Sequence, residues 1–172
     1  MAAALRVAIE RLPEGQRQVL VLRQRGQQLD LKTETAELRM RLADGREVGA
    51  RIVLRDADLD LAFLRPLEPL PGPIPAVDAA MAQPQVMDLV IALQRTGEPT
   101  GYRALGTFGY VQMTVDKPRL YHLVSTGQLG APVFDAAGHF VGVTVRIAGA
   151  RTNPQPGVLP ADDIREIAKQ AK

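Results

Sequence analysis

Short apolar runs, broken at close intervals by turn residues, constrain this chain more than any other feature of its sequence. Between Ala36 and Leu42 the apolar side chains Leu38, Met40 and Leu42 alternate with Arg39 and Arg41, the period of a half-buried strand. Asp44-Gly45 follows at once, a strong hairpin signal, and Val48 to Leu54 reads as the returning strand. Leu61-Ala62-Phe63-Leu64 is a short apolar run of the kind buried on both faces. Further runs lie at Val86 to Leu93, Ala104 to Val115, Leu120 to Val124, Val133-Phe134 and Phe140 to Ile147, each bounded by Gly or other turn residues. The last segment, Pro160 to Lys172, brings Ile164, Ile167 and Ala168 into helical register. Asp162 and Asp163 near its start and Lys169 and Lys172 near its end suit the helix dipole. Many short strands with one closing helix predict an all-β fold of barrel type.

The other end is less determinate. Leu5, Ala8, Ile9 and Leu12 have helical spacing that stops at Pro13-Glu14-Gly15, while Val19 to Leu22 has strand character, so residues 1–30 are open between helix and strand. Pro66, Pro69, Pro71, Pro73, Pro75 and Pro84 crowd one stretch; proline cannot donate to a sheet ladder, so this reads as an extended connector. The expected division is an N-terminal segment over 1–17, a first β lobe over 18–66, a linker over 67–84, a second β lobe over 85–159 and a helix over 160–172.

At 172 residues with 46% hydrophobic and 23% charged side chains, the composition is that of a soluble globular chain with a real core. Aromatics make up only 4%, so Val, Leu, Ile and Ala must fill that core. A net charge of +2 gives no support to nucleic-acid binding by bulk charge, and none is expected. The chain has no cysteine, which excludes disulfides, thiolate zinc sites and a cysteine nucleophile. Arg6, Glu10 and Arg11 interrupt the start, so no signal-peptide apolar core is expected there, and no run approaches the about 20 apolar residues that span a bilayer.

The chemistry is carried by Gly127-Gln128-Leu129-Gly130-Ala131-Pro132, followed by Val133-Phe134-Asp135 and Gly138 to Val143. This stretch resembles the GNSGGP nucleophile segment of trypsin-like serine proteases of the HtrA/Deg type. Other landmarks of that family occur in the same order. Asp44 to Glu47 with Ala50 to Val53 resembles the hairpin before the catalytic aspartate. Asp56 to Leu64 resembles the segment carrying that aspartate, Met87 to Leu93 the strand opening the second barrel, and Gly157 to Pro160 the exit into the C-terminal helix. The resemblance covers residues 36–172. It implies a trypsin-like double β-barrel, with the first barrel shortened or its N-terminus replaced, and a setting outside the cytoplasm. By the same comparison Asp60 matches the aspartate that orients the histidine, and the histidine position falls near Asp30. The nucleophile position holds Leu129, and the amides of Gly127 and Leu129 match an oxyanion-hole-like turn.

Acyl transfer by this route needs an oxygen nucleophile, a base in reach, a group orienting that base and donors for the oxyanion. Leucine has no oxygen, and no histidine occurs before His122. The triad is therefore expected to be degenerate, with Leu129 a core-facing side chain and Asp60 a polar residue at the start of a buried strand. Ser125 is the nearest hydroxyl, but on a strand His122 faces away from it, so a Ser125–His122 dyad is awkward. His122 and His139 lack metal-ligand spacing, and Asp56, Asp58 and Asp60 are followed by Leu61 and Leu67 where a calcium loop needs Gly and Glu. No phosphate-binding glycine motif is present, and neither metal nor cofactor is expected. Leu5 to Arg23 is similar to the opening of region 4 of bacterial sigma factors, although Gln27 to Leu42 suits a strand and hairpin better than a recognition helix. The leading expectation is a catalytically inactive domain that binds or scaffolds a peptide or protein. The rivals are a hydrolase with an unconventional site, for instance Ser125 or a threonine, and a DNA-associated regulatory fragment.

Overall fold

A computed structural model describes residues 19–22, 38–41, 46–59, 61–70, 82–101, 103–117, 119–147 and 156–170. Among these, ten strands, one α-helix and a single-turn 3-10 helix (Glu98–Thr100) form the regular structure. The first four strands are β1 (Val19–Leu22), β2 (Leu38–Arg41), β3 (Glu47–Asp56) and β4 (Leu61–Pro66). They make an antiparallel sheet in the order β1-β4-β3-β2. Arg41 pairs with Glu47 across the predicted hairpin; the Asp44-Gly45 turn itself lies outside the described residues, as does the predicted helix over Ala3 to Leu12. A bulge between Ile52 and Leu54 shifts the register of β3 on β4. Met40, Ala50 and Leu64 are buried together on one face of this sheet.

The remaining strands are β5 (Leu89–Arg95), β6 (Ala104–Val115), β7 (Tyr121–Val124), β8 (Pro132–Asp135), β9 (Phe140–Arg146) and β10 (Pro156–Pro160), and α1 (Ala161–Ala168) follows directly. All six close into a barrel in the order β10-β7-β6-β5-β8-β9. The chain adopts the expected all-β architecture with a C-terminal helix; of the two barrels expected, the described residues close the second, and those of the first lobe form a four-stranded sheet. Gly157 to Pro160, expected only to lead into the helix, lies within a strand of its own, β10.

Small and β-branched side chains fill the barrel: Val90, Ala92, Val111, Val124, Ala131, Val133, Val141 and Val158 form one buried cluster. A second cluster wraps the outside of the barrel and joins it to the four-stranded sheet. Leu59, Leu61 and Phe63 pack there with Tyr121, Phe134, Phe140, Leu159 and Ile164. The rings of Phe134 and Phe140 lie 5.6 Å apart and tilted. Because β9 is covered on both sides, six of its seven residues are buried, which explains its nearly unbroken apolar sequence.

Candidate active-site region

The Gly127–Ala131 loop links β7 to β8 at one end of the barrel. Gly127 has φ 96°, and a β-carbon there would stand 3.2 Å from both Ala92 Cβ and Thr144 Cγ2, so any side chain at this position would be both strained and crowded. Gly130, at φ 91°, supplies the left-handed residue of a turn closed by the bond from Ala131 N–H to the Gln128 carbonyl, 3.0 Å. The buried Thr144 of β9 fixes this turn from below. Its hydroxyl donates to the Gln128 carbonyl and accepts from Ala131 N–H at 2.8 Å. Its own backbone is bonded on both sides, with Gly130 N–H donating to the Thr144 carbonyl and Thr144 N–H to the Ala131 carbonyl.

The Gln128 carbonyl points toward Thr144, so the Leu129 N–H of the same trans peptide unit points the other way. Among the described residues, neither the Gly127 nor the Leu129 amide donates to any acceptor. Leu129 itself is half-buried and joins neither core cluster, so its side chain does not face the core as expected.

A second set of free backbone groups lies alongside. Thr144 directs its N–H and carbonyl toward β8, and strand alternation turns those of Arg146 to the same side. β8 pairs with β9 only from Phe140 to Val143, so it has ended before Arg146 is reached. Toward β10, Arg146 stands opposite Pro156 in a position that exchanges no hydrogen bond. The edge at Arg146 is therefore unpaired among the described residues.

Asp30 and Asp60 lie outside the described residues; the neighbours of Asp60, Leu59 and Leu61, are buried in the cluster shared by sheet and barrel. The Asp56 carboxylate accepts from the amides of Asp58 and Leu59 at 3.1 and 3.0 Å, closing a turn before β4. His122 and Ser125 do not meet. His122 is 5% exposed with Nδ1 3.2 Å from Thr114 Oγ1, and burial lowers its pKa from 6.5, leaving the imidazole neutral at pH 7. The Ser125 hydroxyl accepts from Tyr110 N–H at 2.9 Å.

A different aspartate–histidine pair does form. His139 Nδ1 lies 2.8 Å from Asp135 Oδ2 in the exposed β8–β9 turn, while Asp135 Oδ1 accepts from the amides of Ala137 and His139. Burial pushes the Asp135 pKa up, but the bonds from the His139 amide and ring and from Ala137 outweigh it, and the net shift is downward. Among the described residues no hydroxyl or thiol is bonded to His139, so the pair secures a turn. The spacing Asp135-Xaa-Xaa-Xaa-His139 was the signal available in the sequence. No group of His, Asp and Glu among the described residues is arranged to hold a metal ion.

Residues 17–143 match the family model described as trypsin-like peptidase domain. The chain belongs to this family. Its fold is also that of a solved structure, the MamO protease domain from Magnetospirillum magneticum in its apo form. That structure is 18% identical and matches with a TM-score of 0.57 over 87% of this chain and 81% of that one. No curated protein sequence matches the chain. Within this trypsin-like domain the Gly127–Ala131 loop lies inside the matched region, and α1 lies beyond it. No helix among the described residues is long and apolar enough to cross a membrane.

Proposed function

We propose that this trypsin-like domain is a proteolytically inactive relative of the HtrA/Deg type that binds extended peptide or protein segments. The observation that carries the reading is Leu129: it occupies the loop position matched to the nucleophile and has no oxygen with which to attack a carbonyl. The absence of any histidine before His122 removes the base of the matched triad as well. In this reading residues 18–66 and 85–159 are two lobes joined by 67–84, and the degenerate triad positions are Asp30, Asp60 and Leu129. The free amides of Gly127 and Leu129 would receive a peptide carbonyl as they would an oxyanion. The Arg146 edge would pair with the peptide main chain, which gives affinity without covalent chemistry.

Two measurements test this. A fluorophosphonate probe is expected to leave the purified chain unlabelled, and Leu129→Ser is expected to show no peptidase turnover, because no base stands beside the new hydroxyl; labelling or turnover would refute inactivity. A fluorescein-labelled extended peptide without acidic residues is expected to bind the chain and to lose that binding in Arg146→Pro, which removes the edge N–H at a position not bonded to β10. Unchanged binding in that variant would reject the edge as the site.

A further inference from the structure

Away from the Gly127 loop, the sheet β1–β4 carries an arrangement that a folded chain ordinarily avoids. Arg51 of β3 and Arg65 of β4 are direct cross-strand partners. Like charges in that relation repel, because their β-carbons stand only about 5 Å apart on one face. Among the described residues neither guanidinium group has a carboxylate or any other hydrogen-bonding partner. Arg65 Nε is in addition buried with no acceptor, a donor stripped of water and given nothing in return.

Their surroundings are mixed. Arg65 follows Phe63 by two residues on the same face, so it stands at the border of the core shared with the barrel. Arg39 is placed on this face by its pairing with Gly49, two residues before Arg51. Over Gly49 lies Leu67, whose Cδ1 is 3.1 Å from where a β-carbon would stand and whose side chain remains 64% exposed. An exposed apolar side chain beside the unpaired guanidinium groups of Arg51 and Arg65 has the make-up of a protein-binding patch, in which arginine and an apolar anchor dominate.

We infer that Arg51 and Arg65 form a docking site for an acidic polypeptide segment, whose carboxylate bridges the two guanidinium groups while an adjacent apolar side chain packs on Leu67. A planar carboxylate satisfies the guanidinium fork bidentately and cancels the cross-strand repulsion. The Leu67 contact favours a polypeptide over a bare anion. This surface is separate from the Arg146 edge, and the inference does not depend on the reading of that edge.

The probe is a fluorescein-labelled peptide of alternating Glu and Leu, titrated with the intact chain at low salt and again at about 300 mM NaCl. Binding is expected to weaken about tenfold in Arg51→Gln, further in the Arg51→Gln/Arg65→Gln pair, and at the higher salt, while persisting in Arg146→Pro. Because the ligand-free arginines repel, Arg51→Gln is expected to leave the melting temperature equal or higher; since Arg51 is exposed, this variant stays informative even if Arg65→Gln folds poorly. The inference is overturned by unchanged affinity in Arg51→Gln or by a clear loss of stability in that variant. It is equally overturned if inorganic phosphate or a duplex oligonucleotide binds as well as the acidic peptide.

Discussion

At the scale of single residues, Thr144 decides the shape of the loop that gives this chain its family signature. It is fully buried, and its hydroxyl serves the Gln128 carbonyl and the Ala131 amide from the opposite strand. Replacing it with valine keeps the volume but leaves both loop groups short of a partner in a dry place. Thr144→Val is therefore expected to cost about 1–3 kcal/mol, read as a lowered urea midpoint, with Thr144→Ser close to the parent. A valine variant as stable as the parent would show that the turn bond between Gln128 and Ala131 suffices. Nothing in Val143-Thr144-Val145 distinguishes this threonine from a residue chosen for its β propensity, since its partners are brought in by folding. Strand alternation, by contrast, is enough to separate His122 from Ser125. Local periodicity is legible where a tertiary bond is not.

At the scale of elements, the hydrophobic runs located β3 to β9 to within a few residues, and β10 escaped because proline brackets it. The barrel tolerates those prolines for a geometric reason. Gly142, Thr144 and Arg146 direct their hydrogen-bonding groups toward β8, so their partners Pro160, Val158 and Pro156 owe no N–H to β9. The same pairing leaves no room at Gly142, where a β-carbon would overlap the Leu159 carbonyl. Backbone cannot swing aside as a side chain can, so Gly142→Ala must push β10 off β9 and open the barrel seam. The expected cost is about 3 kcal/mol, or roughly 6–12 °C in Tm for a chain of this size. A melting temperature within error of the parent would mean the seam is looser than drawn. The Arg51–Arg65 pairing belongs to this scale too. It depends on the register between two strands with a bulge two residues beyond Arg51, which no single-strand pattern encodes.

At the scale of the whole molecule, five motifs in family order were sufficient to predict the fold, because order and spacing are set by a topology that several sequences can satisfy. The site was less legible: Leu129 announces the missing nucleophile, but the direction of the Leu129 amide follows only from where the Gln128 carbonyl goes. What sequence patterns did not reveal is that sheet and barrel share one core. Leu59, Leu61 and Phe63 from the sheet are buried with Tyr121 and Phe134 from the barrel and Ile164 from α1. Burying a phenylalanine of this kind contributes about 1.5–3 kcal/mol by transfer alone, and Phe63 is 2% exposed. If that core couples the two halves, neither melts without the other. Phe63→Ala should then lower stability by about 3–5 kcal/mol and shift a single calorimetric transition as one. Two transitions, of which only the lower responds to Phe63→Ala, would instead make the proline-rich stretch a true boundary between independently folding lobes. The first outcome ties the Arg51–Arg65 face and the Gly127 loop to one cooperative unit, so occupancy of either would raise the melting temperature of the whole chain.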